Sequence, residues 1–98
     1  MSLHGLSLLA GQPGQTGGTT FHATNPATGE RLEPAFHEAS LAEAGAALDA
    51  AAEAWVDLRT RSGADRARLL ETMAAEIEAL GDTLLQRAHA ETGLPLAR

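Results

Sequence analysis

The chain has 98 residues and a formal net charge of −6, from seven Lys plus Arg against thirteen Asp plus Glu. No basic stripe is available to follow phosphates or an anionic lipid surface, so we expect neither nucleic-acid nor membrane partners. Cysteine is absent, which excludes a disulfide framework, a thiolate metal site and a cysteine nucleophile within these residues. Because the sequence has neither the basic flank of a secretory signal nor an apolar run of about 20 residues, we expect a cytoplasmic protein.

Residues 1–38 predict an extended arm. The apolar run 6–9 and the β-branched and aromatic run 19–24 favour two strands that form a hairpin across the glycine-rich loop 11–18. Asn25-Pro26-Ala27-Thr28-Gly29-Glu30 then predicts a turn, since proline fixes its own φ, asparagine bonds its own backbone and glycine tolerates a left-handed conformation. Residues 31–37 leave this turn as another extended stretch.

Residues 39–98 predict a helical segment of about three helices. Ser40-Leu41-Ala42-Glu43 is a capping box, in which the serine and the glutamate satisfy two free backbone amides at the start of the first helix. Its larger apolar residues recur at alternating spacings of three and four, which is typical of a narrow apolar seam. This α1 seam consists of Leu41, Ala44, Leu48, Ala51, Trp55 and Leu58.

Two further helices follow from the same kind of signal. Ser62 and Asp65 repeat the serine-to-acid spacing and predict the start of a second helix. Gly81-Asp82 predicts a stop and a new N-cap, and the third helix should end at Gly93 because Pro95 blocks continuation. The apolar seam of the second helix consists of Leu70, Met73, Ile77 and Leu80.

No complete catalytic arrangement is visible in these residues. The glycine-rich loop lacks the lysine of a phosphate-binding loop and is not followed directly by a helix, so it is interpreted as a flexible connection. The four histidines are too far apart to put two metal ligands on one helix face, and the serines at helix starts are explained by capping. Acidic residues pair with arginines four positions away, as in Asp57 with Arg61 and Arg87 with Glu91. We therefore predict no catalytic, cofactor-binding or metal-binding residue in this chain.

The order of these features resembles the N-terminal region of the aldehyde dehydrogenase superfamily. The resemblance rests on a Leu8-Leu9-Ala10-Gly11 start, the Asn-Pro-Ala-Thr-Gly-Glu turn after Phe21, the alanine-rich helix, Arg66-Ala67-Arg68-Leu69-Leu70 and Glu91-Thr92-Gly93. Within the family, residues 77–82 and 91–98 are most similar to the 2-oxoglutarate semialdehyde dehydrogenase branch. Leu94, which replaces the family's common lysine, suits that branch.

The resemblance implies that the parent subunit oxidises an aldehyde, with 2-oxoglutarate semialdehyde as the expected substrate of that branch, to a carboxylic acid with NAD or NADP. In the family a cysteine attacks the aldehyde, hydride passes to the nicotinamide, and a glutamate activates the water that hydrolyses the thioester. The resemblance places those groups and the cofactor loop outside these 98 residues, so the chain alone should be inactive. It also implies a homo-oligomeric parent.

The expected fold is an α+β fragment: an N-terminal β-hairpin or extended arm, then about three helices. In the parent, both parts would belong to the α/β aldehyde dehydrogenase fold around one cofactor-binding domain, with the remainder of the subunit as their partner. With one Trp, two Phe and no Tyr, the chain has little bulk to build a core of its own. The alternative hypothesis is a small helical interaction or oligomerisation module without catalysis, which uses the two apolar seams to bind a partner.

Overall fold

The computed structural model describes residues 2–97, so the extreme ends of the predicted arm and helical segment, Met1 and Arg98, lie outside the described residues. Four short strands precede three helices, which confirms the predicted α+β class. The elements are β1 (Leu8–Leu9), β2 (Gln12–Pro13), β3 (Thr20–Thr24), β4 (Arg31–His37), α1 (Leu41–Leu58), α2 (Gly63–Ala79) and α3 (Gly81–Thr92).

The strands pair differently from the predicted hairpin between residues 6–9 and 19–24, and that prediction is wrong. β1 pairs antiparallel with β2 across a two-residue turn, in which Ala10 and Gly11 both have positive φ, at 49° and 78°. β3 pairs antiparallel with β4 across the Asn-Pro turn. Both sheets therefore form between strands that are adjacent in sequence, where the shorter loop costs less entropy to close.

The Asn-Pro turn has the predicted hydrogen bonds. The side chain of Asn25 accepts from the Ala27 amide at 2.9 Å, and the Asn25 amide donates to the Glu30 carbonyl at 2.8 Å. Gly29 has a φ of 77°, a conformation that glycine adopts without a Cβ clash. The turn thus sets the register in which Thr24 lies opposite Arg31.

Two contacts complete the β3–β4 sheet at the end remote from the turn. The rings of Phe21 and Phe36 stack across the two strands with centroids 5.7 Å apart. The His37 amide donates to the Gly5 carbonyl at 2.8 Å, which attaches the N-terminal segment to β4. The backbone around Gly5 therefore lies against the sheet.

The helix ends follow the local sequence signals with one exception. Both bonds of the capping box at Ser40 are present, Ser62 accepts from the Asp65 amide, and Gly93 ends α3 in a left-handed conformation with φ 70°. Asp82 is not an N-cap, contrary to the prediction, because α3 already begins at Gly81 and Leu80 occupies the cap position without a side-chain hydrogen bond.

The helices cover little of one another. The main contacts between elements join α1 to β1 and α3 to β3, and among residues 2–97 no contact of similar extent involves α2. The accessible surface is 7558 Å², whereas a compact protein of this mass exposes about 5,300 Å². The radius of gyration is 16.9 Å, against about 13 Å for a compact domain of about 100 residues. No hydrophobic residue within 2–97 is fully buried.

Candidate functional site

The histidines of the described residues serve the backbone or meet a single carboxylate. The Nδ1 atom of His37 lies 3.1 Å from the Gly17 carbonyl oxygen, and that of His89 lies 2.6 Å from the Leu94 carbonyl oxygen. His22 approaches Glu33 at 3.4 Å. Between residues 2 and 97 no group of three or more His, Asp or Glu side chains could hold a metal ion.

Long apolar helices of the kind that span bilayers are also not found in this part of the chain: no helix within residues 2–97 combines the necessary length and hydropathy.

Glu43 connects the first turn of α1 to the glycine-rich loop. Its Oε1 atom accepts from the Ser40 amide at 3.2 Å, and its Oε2 atom accepts from the Gln15 amide at 3.1 Å. The bond from the Gln15 amide and then that from the Ser40 amide lower the pKa of the Glu43 carboxyl, because both stabilise its charged form.

The glycine-rich loop has one of its amides bonded to Glu43 and an acidic hollow beside it. A phosphate-binding loop directs free amides at an anion, but here the Gln15 amide is bonded to a carboxylate. The hollow beside the loop is lined by two carboxylates, those of Glu38 and Glu43. These carboxylates make the hollow acidic, and the bond from Gln15 holds the loop to α1.

We predict that the contact between Glu43 and the loop weakens in acid. A carboxyl with a lowered pKa in the folded state stabilises the fold fully above its ordinary value of 4.5, and that contribution is lost as pH falls through the lowered pKa. Amide exchange of Gln15, followed by NMR across this range, should accelerate beyond its intrinsic pH dependence. Glu43→Gln should remove the additional acceleration and Glu53→Gln should leave it intact; a Glu43→Gln profile identical to that of the parent sequence would contradict the assignment.

The α1 seam faces solvent. The partly buried residues of α1 near its start are Glu43, Ala47 and Ala50, on the side of the helix that contacts β1. The larger side chains project elsewhere: Leu41 is 93% exposed, Leu48 73% and Trp55 59%. The larger side chains thus form an uncovered apolar surface, whereas Glu43 contacts the arm.

The apolar face of α2 is similarly uncovered. Leu70 is 65% exposed, Met73 51% and Ile77 56%. These residues recur at helical spacing along one side, so their exposed surfaces form one continuous stripe. Scattered exposed leucines need no explanation, but a contiguous apolar stripe marks a surface that binds another element or protein.

Arg87 is the main polar link between α3 and the β3–β4 sheet. Its Nε atom donates to Glu91 Oε1 at 2.7 Å, and its Nη1 atom donates to the Glu33 carbonyl oxygen at 2.5 Å. The side chain is 20% exposed, and its Nη2 atom is buried without a partner among the described residues. Arg87 therefore joins α3 to β4 by a hydrogen bond.

The lineage of this chain is established by comparison with known proteins. The family model described as "Aldehyde dehydrogenase family" matches residues 13–98. The chain belongs to the aldehyde dehydrogenase family. It is also 41% identical over 99 aligned residues to alpha-ketoglutaric semialdehyde dehydrogenase 2 of Azospirillum brasilense, across 100% of this chain and 19% of that protein. No solved structure matches the chain significantly.

These findings confirm the predicted family and its resemblance to the semialdehyde dehydrogenase branch. The chain spans about a fifth of the length of this aldehyde dehydrogenase relative. The uncovered faces of α1 and α2 therefore lie in a segment that matches only a small part of a dehydrogenase. Sequence patterns located the two apolar seams, but the exposure of both required the three-dimensional arrangement of the helices.

Proposed function

We propose that this chain is the N-terminal scaffold portion of an aldehyde dehydrogenase whose whole subunit oxidises 2-oxoglutarate semialdehyde to the carboxylic acid with NAD or NADP. The observation that carries this proposal is the absence of any fully buried hydrophobic residue within 2–97, in a chain that matches 19% of a semialdehyde dehydrogenase. The remainder of the subunit would cover the uncovered faces of α1 and α2. A cytoplasmic location and a homo-oligomeric parent are part of the same proposal.

The exposed side chains give the scaffold role its energetic basis. Complete burial of a large apolar side chain contributes about 1.5–3 kcal/mol, and Leu41, Leu48 and Trp55 each keep more than half of their surface exposed. Docking of the remaining subunit on these residues would supply stabilisation that the 98 residues do not generate among themselves. This argument favours a part of a larger fold over an independent small enzyme.

In this proposal, the residues of this chain take no part in the chemical reaction. The glycine-rich loop does not fit the dinucleotide, since Glu43 accepts from its Gln15 amide and Glu38 adds a second carboxylate nearby. NAD or NADP would therefore bind to residues of the subunit other than these. What this chain would contribute is the position of α1 and α3 relative to the arm, through the contacts of Glu43 and Arg87.

A complementation experiment tests the proposal. The A. brasilense relative is produced without the residues that match this chain, and aldehyde-dependent reduction of NAD and NADP is measured with 2-oxoglutarate semialdehyde. We expect no activity from either piece alone and recovered activity when the two are fused in order. Activity from the isolated 98 residues, or an inactive fusion that is soluble and folded by circular dichroism, would contradict the proposal. The intact relative serves as the positive control.

A further inference from the structure

The guanidinium group of Arg87 has more hydrogen-bond donors than residues 2–97 use. Its Nε atom bonds Glu91 and its Nη1 atom bonds the Glu33 carbonyl oxygen, whereas its Nη2 atom is buried and has no partner among the described residues. A buried charged donor without an acceptor is destabilising, and buried polar groups in folded proteins are nearly always bonded. An acceptor oxygen from outside these residues would satisfy this atom.

Two adjacent hollows meet at Arg87 and form a groove where α3 lies on the β3–β4 sheet. The first has a volume of about 560 Å³, and its walls include Pro34 of β4 and Ala90 of α3. The second has a volume of about 400 Å³, and its walls include Phe36. Leu3 and Arg87 line both hollows. The groove thus offers apolar walls on either side of one polar group, which suits a segment of polypeptide with an apolar side chain.

The N-terminal segment forms one wall of this groove. Among residues 2–97, Leu3 is the one lining residue of the two hollows that comes from outside α3 and the sheet. Its side chain is 41% exposed, and its segment is joined to β4 by the bond from the His37 amide to the Gly5 carbonyl. A shift of Leu3 therefore gives an approaching oxygen atom access to the guanidinium group while α3 stays on the sheet.

The charges around Arg87 favour a neutral acceptor. The positive charge of Arg87 is already matched by Glu91, whose Oε1 atom lies 2.7 Å from Nε, and the Glu33 carboxylate lies 3.4 Å from His22. A further carboxylate would bring an unmatched negative charge into a partly buried site, which is costly. A backbone carbonyl oxygen satisfies Nη2 without that cost, as the Glu33 carbonyl oxygen does for Nη1.

We propose that the groove at Arg87 is a docking site for a segment of the remaining subunit, which gives a backbone carbonyl oxygen to Arg87 Nη2 and places an apolar side chain in the groove. This inference rests on the proposed scaffold function and adds a specific contact to it, separate from the uncovered faces of α1 and α2. Most of the semialdehyde dehydrogenase relative lies outside the part that matches this chain, so a whole subunit has ample polypeptide to supply the segment.

A crystal structure of the fused subunit, made of this chain and the rest of the A. brasilense relative, tests the contact directly. We expect a backbone carbonyl oxygen from outside the 98 residues within about 3.2 Å of Arg87 Nη2. A water molecule only, a carboxylate, or an acceptor from the 98 residues themselves at this position would overturn the proposal. An active fusion without the expected bond would reject the docking site and leave the scaffold function standing, because activity and this contact are measured separately.

Hydrogen exchange measures the contribution of the contact in solution. Arg87→Lys keeps the positive charge but removes the Nη2 donor, and it weakens the bonds to Glu91 and Glu33 in any context. Only the fused subunit contains the proposed acceptor, so the substitution should accelerate amide exchange in α3 by about 5- to 10-fold more in the fusion than in the isolated chain. Arg61→Lys is the matched control and should have the same small effect in both. An equal acceleration by Arg87→Lys in the two proteins would overturn the proposal.

Discussion

Replacement of Gly5 by alanine is expected to detach the N-terminal segment from β4. Gly5 has a φ of 66°, and a Cβ atom built on it would lie 1.9 Å from the Ala35 carbonyl oxygen. The left-handed conformation alone costs a non-glycine residue about 1–2 kcal/mol, and the clash is with backbone, so the two segments must separate. We expect Gly5→Ala to destabilise this contact by about 2–4 kcal/mol.

The readout of that change is the His37 amide, which donates to the Gly5 carbonyl at 2.8 Å. Its hydrogen exchange should accelerate by about tenfold or more, while amides in α2 should be unaffected. Gly45→Ala is the matched control: Gly45 lies inside α1, nothing lies within 4 Å of an added Cβ, and the change should stabilise the helix by about 0.5–1 kcal/mol. Unchanged His37 exchange in Gly5→Ala would show that the segment tolerates the added atom.

The sequence predicted the helices well because their signals are local. Ser40 with Glu43, and Ser62 with Asp65, satisfy amides within three residues of each other, so no knowledge of distant contacts is needed. Gly93 ends α3 for a similarly local reason, its left-handed backbone. Local signals fail only at the start of α3, where the chain passes from α2 through Gly81 without a side-chain cap.

Strand pairing was predicted less well because several partners were available to each short strand. Residues 6–9 have an apolar pattern that suits a hairpin with residues 19–24, yet β1 pairs with β2 and β3 pairs with β4. The deciding factors are the turn at Ala10 and Gly11 and the hydrogen bonds of the Asn-Pro turn. The first was missed because a non-glycine residue with positive φ is uncommon, and Ala10 carries no sign of it in the sequence.

The sequence predicted which residues form the apolar seams of α1 and α2, but not that these residues would be exposed to solvent. Helical spacing identified the seams on α1 and α2, but not that Leu48 would face solvent while Ala47 is partly buried. Glu43 contributes to the placement of α1, since its carboxylate accepts from the Gln15 amide 28 residues earlier in the chain. A contact over this separation has no periodic signature, so only the structure reveals which face remains available.

Two ion pairs with the same spacing also show that the sequence does not reveal how exposed a residue is. The sequence treats Asp57 with Arg61 and Arg87 with Glu91 as equivalent pairs four residues apart, and both form. Their surroundings differ: the Arg61 side chain is 54% exposed and the Arg87 side chain 20%. Solvent screens the first pair, whereas the second lies where α3 meets the sheet.

We therefore expect Arg87→Met to have a far larger effect than Arg61→Met. Methionine keeps most of the aliphatic packing of Arg87 but removes the bonds to Glu91 and to the Glu33 carbonyl oxygen, and hydrogen bonds that involve a charged group contribute about 1.5–3 kcal/mol each. Glu91 lies on α3 itself, so the bond that joins α3 to the sheet is the one to Glu33. A loss of about 1.5–3 kcal/mol in the docking of α3 is expected, measured by urea titration of the helical signal and by amide exchange in β4. Arg61→Met, the matched change at an exposed pair, should give a curve close to that of the parent sequence. Equal effects of the two substitutions would mean that α3 is held by its apolar contacts alone, because the burial of Arg87 and its bond to the Glu33 carbonyl oxygen are what distinguish it from Arg61.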